Sequence, residues 1–179
     1  MDDTVLFLSA YNSTQYKATN WFLRKLRNVI PHKKKQMQSL LEKHHLSFVA
    51  ADETITSVDG KMEVTAQYDY VHQATTFSFK SKDSAEKEND ASDSLKDSGF
   101  YINLRHAQSI LVDERYFKIE FTFWLEPFLV WINGQMYQID AGAFMMNSVL
   151  FIVFEVINYK TGKPLAKDDV GAKAENYNL

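Results

Sequence analysis

The chain has 179 residues, 45% hydrophobic and 14% aromatic, enough for one domain with a substantial core. A net charge of −3 argues against indiscriminate coating of nucleic acid, which pushes a whole domain basic. Cysteine is absent, which excludes disulfide frameworks, zinc–thiolate and iron–sulfur sites and cysteine nucleophiles, and suits a cytoplasmic protein.

The N-terminus opens with Asp2 and Asp3 and has too short an apolar run for a secretory signal. Val5 to Ala10 predicts a first strand, ended by the turn-prone Tyr11-Asn12-Ser13. From Thr14 to Ile30, Phe22, Leu26, Val29 and Ile30 recur at helical spacing, with Lys17, Arg24, Arg27 and Asn28 on the opposite side. Pro31 closes that segment, because the residue before a proline is steered away from helical geometry. Met37, Leu40, Leu41 and His44 then form the stripe of a second helix from His32 to His45, giving a helical hairpin or corner.

The periodicity changes after His45. Ser47–Ala51 and Glu53–Val58 read as strands, Asp59-Gly60 as a two-residue hairpin turn, and Lys61–Val71 alternates as a half-buried strand. Ala74–Ser81 adds another. Residues 82–98 contain one large apolar side chain, Leu95, and are otherwise charged or small, so a mobile acidic loop is expected there.

Phe100–Leu104 resumes the apolar pattern. In Arg115–Leu125, Phe117, Ile119, Phe121, Phe123 and Leu125 are expected to point one way, with Tyr116, Lys118, Glu120, Thr122 and Trp124 opposite, until Pro127 breaks the strand. Phe128–Ile132, the Asn133-Gly134 turn and Gln135–Ile139 form a second hairpin. Val149–Ile157 is apolar on both faces, as in a central strand covered on each side. The window Phe144–Ile157 is interrupted by Asn147 and Glu155 and falls short of the ~20 residues of a spanning helix. Thr161-Gly162 is a turn, and the polar tail leaves room for further domains beyond Leu179.

Together these elements predict a single α+β domain over residues 1–179: an N-terminal helical hairpin packed on a curved antiparallel sheet, or a partial β-barrel, of seven to nine strands. The chain has neither GxGxxG nor GxxxxGK[ST], and no G-x-S-x-G elbow, so P-loop and α/β-hydrolase chemistry are disfavoured. Among His32, His44, His45, His72 and His106 there is no chelating pair, and no catalytic residue, metal or cofactor is assigned. The carboxylates Asp59, Glu63, Glu120, Glu126, Asp140 and Glu155 lie in the β half, where a metal-dependent hydrolase or nuclease would need two beside a lysine. Glu155 stands out among Val153, Phe154, Val156 and Ile157: near a strand end it reaches solvent or an arginine, and if buried it must be paired or hold its proton unusually tightly.

Two surfaces are candidates for binding. Tyr68, Tyr70, Trp124 and Trp131 fall on nominally polar sides of their strands and suit a protein partner, unless the helices cover that face. Arg24, Arg27, Lys33, Lys34 and Lys35 form a basic corner in an acidic chain, and lysines at a helix N-terminus oppose the dipole where an anion would be favoured. The first implies a non-enzymatic interaction module and the second nucleic-acid or nucleotide binding.

Overall fold

The computed structural model describes residues 7–8, 11, 15–25, 31–50, 53–82 and 99–165. They form two named helices, α1 (Gln15–Lys25) and α2 (Pro31–Lys43), followed by ten strands. These are β1 (Leu46–Ala50), β2 (Thr54–Thr56), β3 (Met62–Asp69), β4 (Ala74–Ser81), β5 (Phe100–Asn103), β6 (Gln108–Leu111), β7 (Ile119–Trp124), β8 (Phe128–Ile132), β9 (Gln135–Met146) and β10 (Val149–Asn158). Sheet A runs β1-β10-β9, and β9 is long enough for β7 to pair with its C-terminal half and β8 with its N-terminal half. Sheet B is the meander β2-β3-β4-β5-β6.

The layers follow from the two apolar faces of β10, all of whose residues are buried. Leu150, Ile152, Phe154 and Val156 join Ile139, Ala141, Ala143 and Met145 of β9 against Trp21, Phe22, Met37 and Leu41 of the helices. Trp21 and Phe154 meet edge to face at 5.1 Å, an arrangement the aromatic quadrupoles favour. The alternate residues Val149, Phe151 and Val153, with Phe144 and Met146, meet Val64, Ala66, Phe77, Phe79, Phe100 and Ile102 of sheet B. Sheet A is therefore the middle layer, with helices on one face and a second sheet on the other.

The α+β class agrees with the expectation, but its details change. The sheets are open and stacked face to face, so there is no partial barrel, and ten strands exceed the expected seven to nine. β1 pairs parallel to β10, from Leu46↔Leu150 to Ala50↔Phe154, which makes sheet A mixed. Phe7 and Leu8, expected in a strand, are helical and fully buried in the helix-side core. Pro31 opens α2 instead of only ending the segment before it; at the first helical position its missing N–H costs nothing. Residues 26–30, 83–98 and 166–179 lie outside the described set, so the hairpin connection, the acidic loop and the polar tail do too.

Two local departures matter most. A bulge between Ile119 and Phe121 sets both against adjacent residues of β9, Met146 and Met145. One extra residue inverts the side-chain alternation, so Phe121 and Phe123 pack toward the helices while Phe117, Ile119 and Trp124 pack toward sheet B. The turn near Asp59-Gly60 is also longer than expected, closed by the Ser57 N–H donating to Met62 O at 2.8 Å. By contrast Asn133 and Gly134 hold φ of 52° and 73°, the two positive values of a type I′ hairpin turn. Asn147 and Ser148, at 51° and 65°, build the same turn between β9 and β10.

Candidate functional site

The face of sheet A that looks toward sheet B can be followed in cross-strand rows. Gly142 pairs with Val153 under the cover of Leu104, Asp140 with Glu155, Gln138 with Ile157 and Leu129, and Met136 with Trp131. The Tyr159 N–H donates to Met136 O at 2.8 Å and extends the last row. Along these rows the surface passes from packed core through two carboxyls and an amide to exposed aromatic groups. Leu129, Trp131 and Tyr159 are 51%, 59% and 65% exposed, so sheet B does not cover this end. The turns of sheet B that carry Gln73 and Arg105 border it instead.

Asp140 and Glu155 sit directly opposite each other on antiparallel strands and are both buried. The Thr75 N–H donates to Glu155 Oε2, while Glu155 Oε1 has no partner unless a proton is held between the two carboxyls. Burial pushes the Glu155 carboxyl up to about 7, and the adjacent Asp140 adds to the rise. Burial also raises Asp140, against the opposing effects of Gln138, Glu155 and Arg105. Two buried carboxyls on facing positions cannot both ionise cheaply, so the ionisation of one is coupled to that of the other, and a proton held between them relieves the cost. Gln138 Nε2 lies 3.4 and 3.5 Å from the Asp140 oxygens, at the limit of a hydrogen bond.

Asp140 lines a cleft of about 170 Å³ with Gln73, Arg105, Gln138, Tyr159 and Lys160. A second hollow of about 480 Å³ adjoins it through Asn158–Thr161, with Trp131 and Met136 on its wall. Arg105 does not turn onto the acids; its Nη1 donates to Gln73 O at 2.6 Å. Tyr68 donates its hydroxyl to the O of Gly162, another lining residue.

The β8 strand forms an edge of sheet A beside this shelf. In a type I′ hairpin the residues flanking the turn, here Ile132 and Gln135, are a hydrogen-bonded pair, and bonding alternates from there. Phe128, Val130 and Ile132 thus bond inward to β9, and Leu129 and Trp131 aim their backbone N–H and C=O outward. Val130 and Ile132 anchor the strand in the helix-side core, and Lys25 Nζ lies 3.9 Å from the centre of the Phe128 ring.

The structure spreads the four aromatic candidates over different environments. Trp131 and Tyr70 are exposed, whereas Tyr68 is 8% exposed and Trp124 packs edge to face on Phe144 at 5.1 Å within the sheet-to-sheet core. Tyr70 meets Tyr68 at 4.9 Å, near the exposed turn with Val71 and His72. Of the basic corner, Arg24 lies in the last turn of α1, Lys33 to Lys35 stand in the first turns of α2, Lys35 is exposed, and Arg27 lies outside the described residues. Among the described residues no three His, Asp or Glu converge as a metal-binding group. Nor does any helix among them have the length and apolarity to cross a membrane.

Asp140 and Glu155 are legible in the sequence as carboxylates of the β half, but Gln73, Arg105, Gln138 and Tyr159 carry no comparable mark. No sequence spacing brings Arg105 of one sheet to Asp140 of the other. Leu129 carries a usable signal: it alternates with buried Val130 two residues before Trp131, ahead of an Asn-Gly turn. Compared with protein-family models, curated proteins and solved structures, the chain matches none.

Proposed function

We propose that this chain is a non-enzymatic binding module that recognises an extended segment of a protein partner along β8. One observation carries this: the residues whose backbone groups face the open edge, Leu129 and Trp131, are also its exposed large apolar side chains. Added strands gain affinity from main-chain hydrogen bonds and specificity from alternate side chains. The other edges are less inviting. β1 is an edge of equal length, but its residues are buried or half-buried and leave no exposed apolar side chain; β2 and β6 have three and four residues, and β7 carries a bulge, features that hinder strand addition. β8, Phe128–Ile132, has five residues and no charge, so an uncovered edge there is a liability that a partner strand would remove.

The test is affinity purification of the tagged full chain with a photo-crosslinking residue in place of Leu129. A protein joined at that position and lost on Trp131→Glu supports the proposal. Persistence of every captured protein in Trp131→Glu, or no crosslink at position 129, refutes it. The basic corner supports a second proposal, nucleic-acid or nucleotide binding, because α2 has no acidic residue in its first turn. Unchanged oligonucleotide retention at low salt after Lys33/Lys34/Lys35→Ala would rule that out.

A further inference from the structure

We infer that the cleft bordered by Asp140 and Tyr159 is a second binding site, for a small amphiphilic amine: a primary ammonium on Asp140, its apolar body along Ile157 and Tyr159 toward Met136. The demand comes from the acid pair. Asp140 is 4% exposed, lines the cleft, and has as hydrogen-bonding neighbours the long contacts of Gln138 and the carboxyl of Glu155, with Arg105 acting through its charge alone. Glu155, with no exposure at all, has one oxygen satisfied by Thr75 and the other dependent on a proton held between the two carboxyls. A buried carboxylate short of donors is costly, and an ammonium supplies three donors and the compensating charge.

The surroundings select the rest of the ligand. Of the two cations that line the cleft, Arg105 is held on Gln73 O and Lys160 is exposed. The two ends of the cleft differ: Asp140 and Gln138 lie at the inner end with Ile157, whereas the outer hollow has Trp131 and Met136 on its wall, with Gln135 and Asn158 as polar neighbours. A molecule polar all round, such as a sugar, would set hydroxyls against Trp131 and Met136. A molecule with a charged head and an apolar body matches both ends. From Asp140 to Met136 the strand advances about 14 Å at its usual rise, so a body longer than a single ring fills the groove better.

The probe is 4-phenylbutylamine, titrated into the isotopically labelled chain and followed by NMR amide shifts. The alcohol 4-phenylbutan-1-ol and the acid 5-phenylpentanoate serve as comparisons. The amine is expected to shift the amides of Gln138, Asp140 and Tyr159 and to bind about tenfold tighter than the alcohol, the value of one charge-assisted hydrogen bond. Asp140→Asn should remove that preference. No shifts at these amides, or equal binding of amine, alcohol and acid, overturns the inference. The ligand comparison needs no variant, so it holds even if Asp140→Asn fails to fold. The site shares only Trp131 with β8, and its readout at Gln138, Asp140 and Tyr159 is separate from the crosslink at position 129, so its failure leaves the partner proposal intact, and the reverse holds.

Discussion

Replacing Glu155 by glutamine should stabilise the protein at pH 8 and do little at pH 5. The Glu155 carboxyl is raised from an ordinary 4.5 to about 7 by burial and by Asp140. The folded chain therefore holds a proton between these values that the unfolded chain releases. Stability from this group is fully present below pH 4.5, declines as pH rises through the interval, and is lost above pH 7. Each pH unit of that interval corresponds to about 1.4 kcal/mol, so the loss is less than about 1 kcal/mol at pH 5 and about 3 kcal/mol at pH 8.

The side-chain amide introduced by Glu155→Gln, unable to ionise, keeps an oxygen for the Thr75 N–H and offers an N–H to Asp140, so the variant escapes that loss. Thermal unfolding by circular dichroism at pH 5, 6, 7 and 8 reads the difference directly. Titrating groups other than Asp140, which is coupled to Glu155, are common to both proteins and cancel. For a chain of this size about 3 kcal/mol corresponds to a rise of roughly 6–12 °C in Tm at pH 8. A difference that stays constant across the series, or grows toward acid, would refute a shared buried proton.

Further substitutions test the frame that holds the site. Gly142→Ala should cost about 1–3 kcal/mol by overpacking, since its Cβ would stand 3.0 Å from Phe144 Cε2, 3.2 Å from Leu104 Cδ2 and 3.3 Å from Phe123 O; urea unfolding checks this, and an unchanged midpoint means the layers separate easily there. Asn147→Ala removes the side chain that accepts from the Lys118 N–H at 2.7 Å and donates to Tyr116 O at 2.6 Å. It also places alanine at φ 51°, and a loss of about 2 kcal/mol is expected from the two effects together. If Asn147→Gly loses as little as about 0.5 kcal/mol, the turn conformation alone matters and the side-chain bonds are dispensable.

Legibility of the site divides along the same lines as legibility of the fold. The Phe128–Ile132 hairpin and the doubly apolar β10 can be recognised because turn chemistry and period-two patterning are local properties. The bulge in β7 cannot, because Phe117 to Leu125 alternates without a break in sequence. Only pairing to Met145 and Met146 of β9 forces the slip, and it is this slip that turns Trp124 into core. The Asn147-Ser148 turn escapes a sequence reading because serine stands where glycine usually marks a type I′ turn.

The sequence by itself determined that the chain is α+β, that β10 is covered on both faces, and that Glu155, if buried, needs a partner or a proton. Local propensity, alternation and the cost of burying charge settle those points without knowledge of neighbours. Only the tertiary structure decided that Asp140 is the carboxyl beside Glu155, that sheet B covers the far face, and that Leu129, Trp131 and Tyr159 are left in the open. Which strands lie side by side, and where one sheet ends over another, depends on long-range register, and no local pattern encodes it.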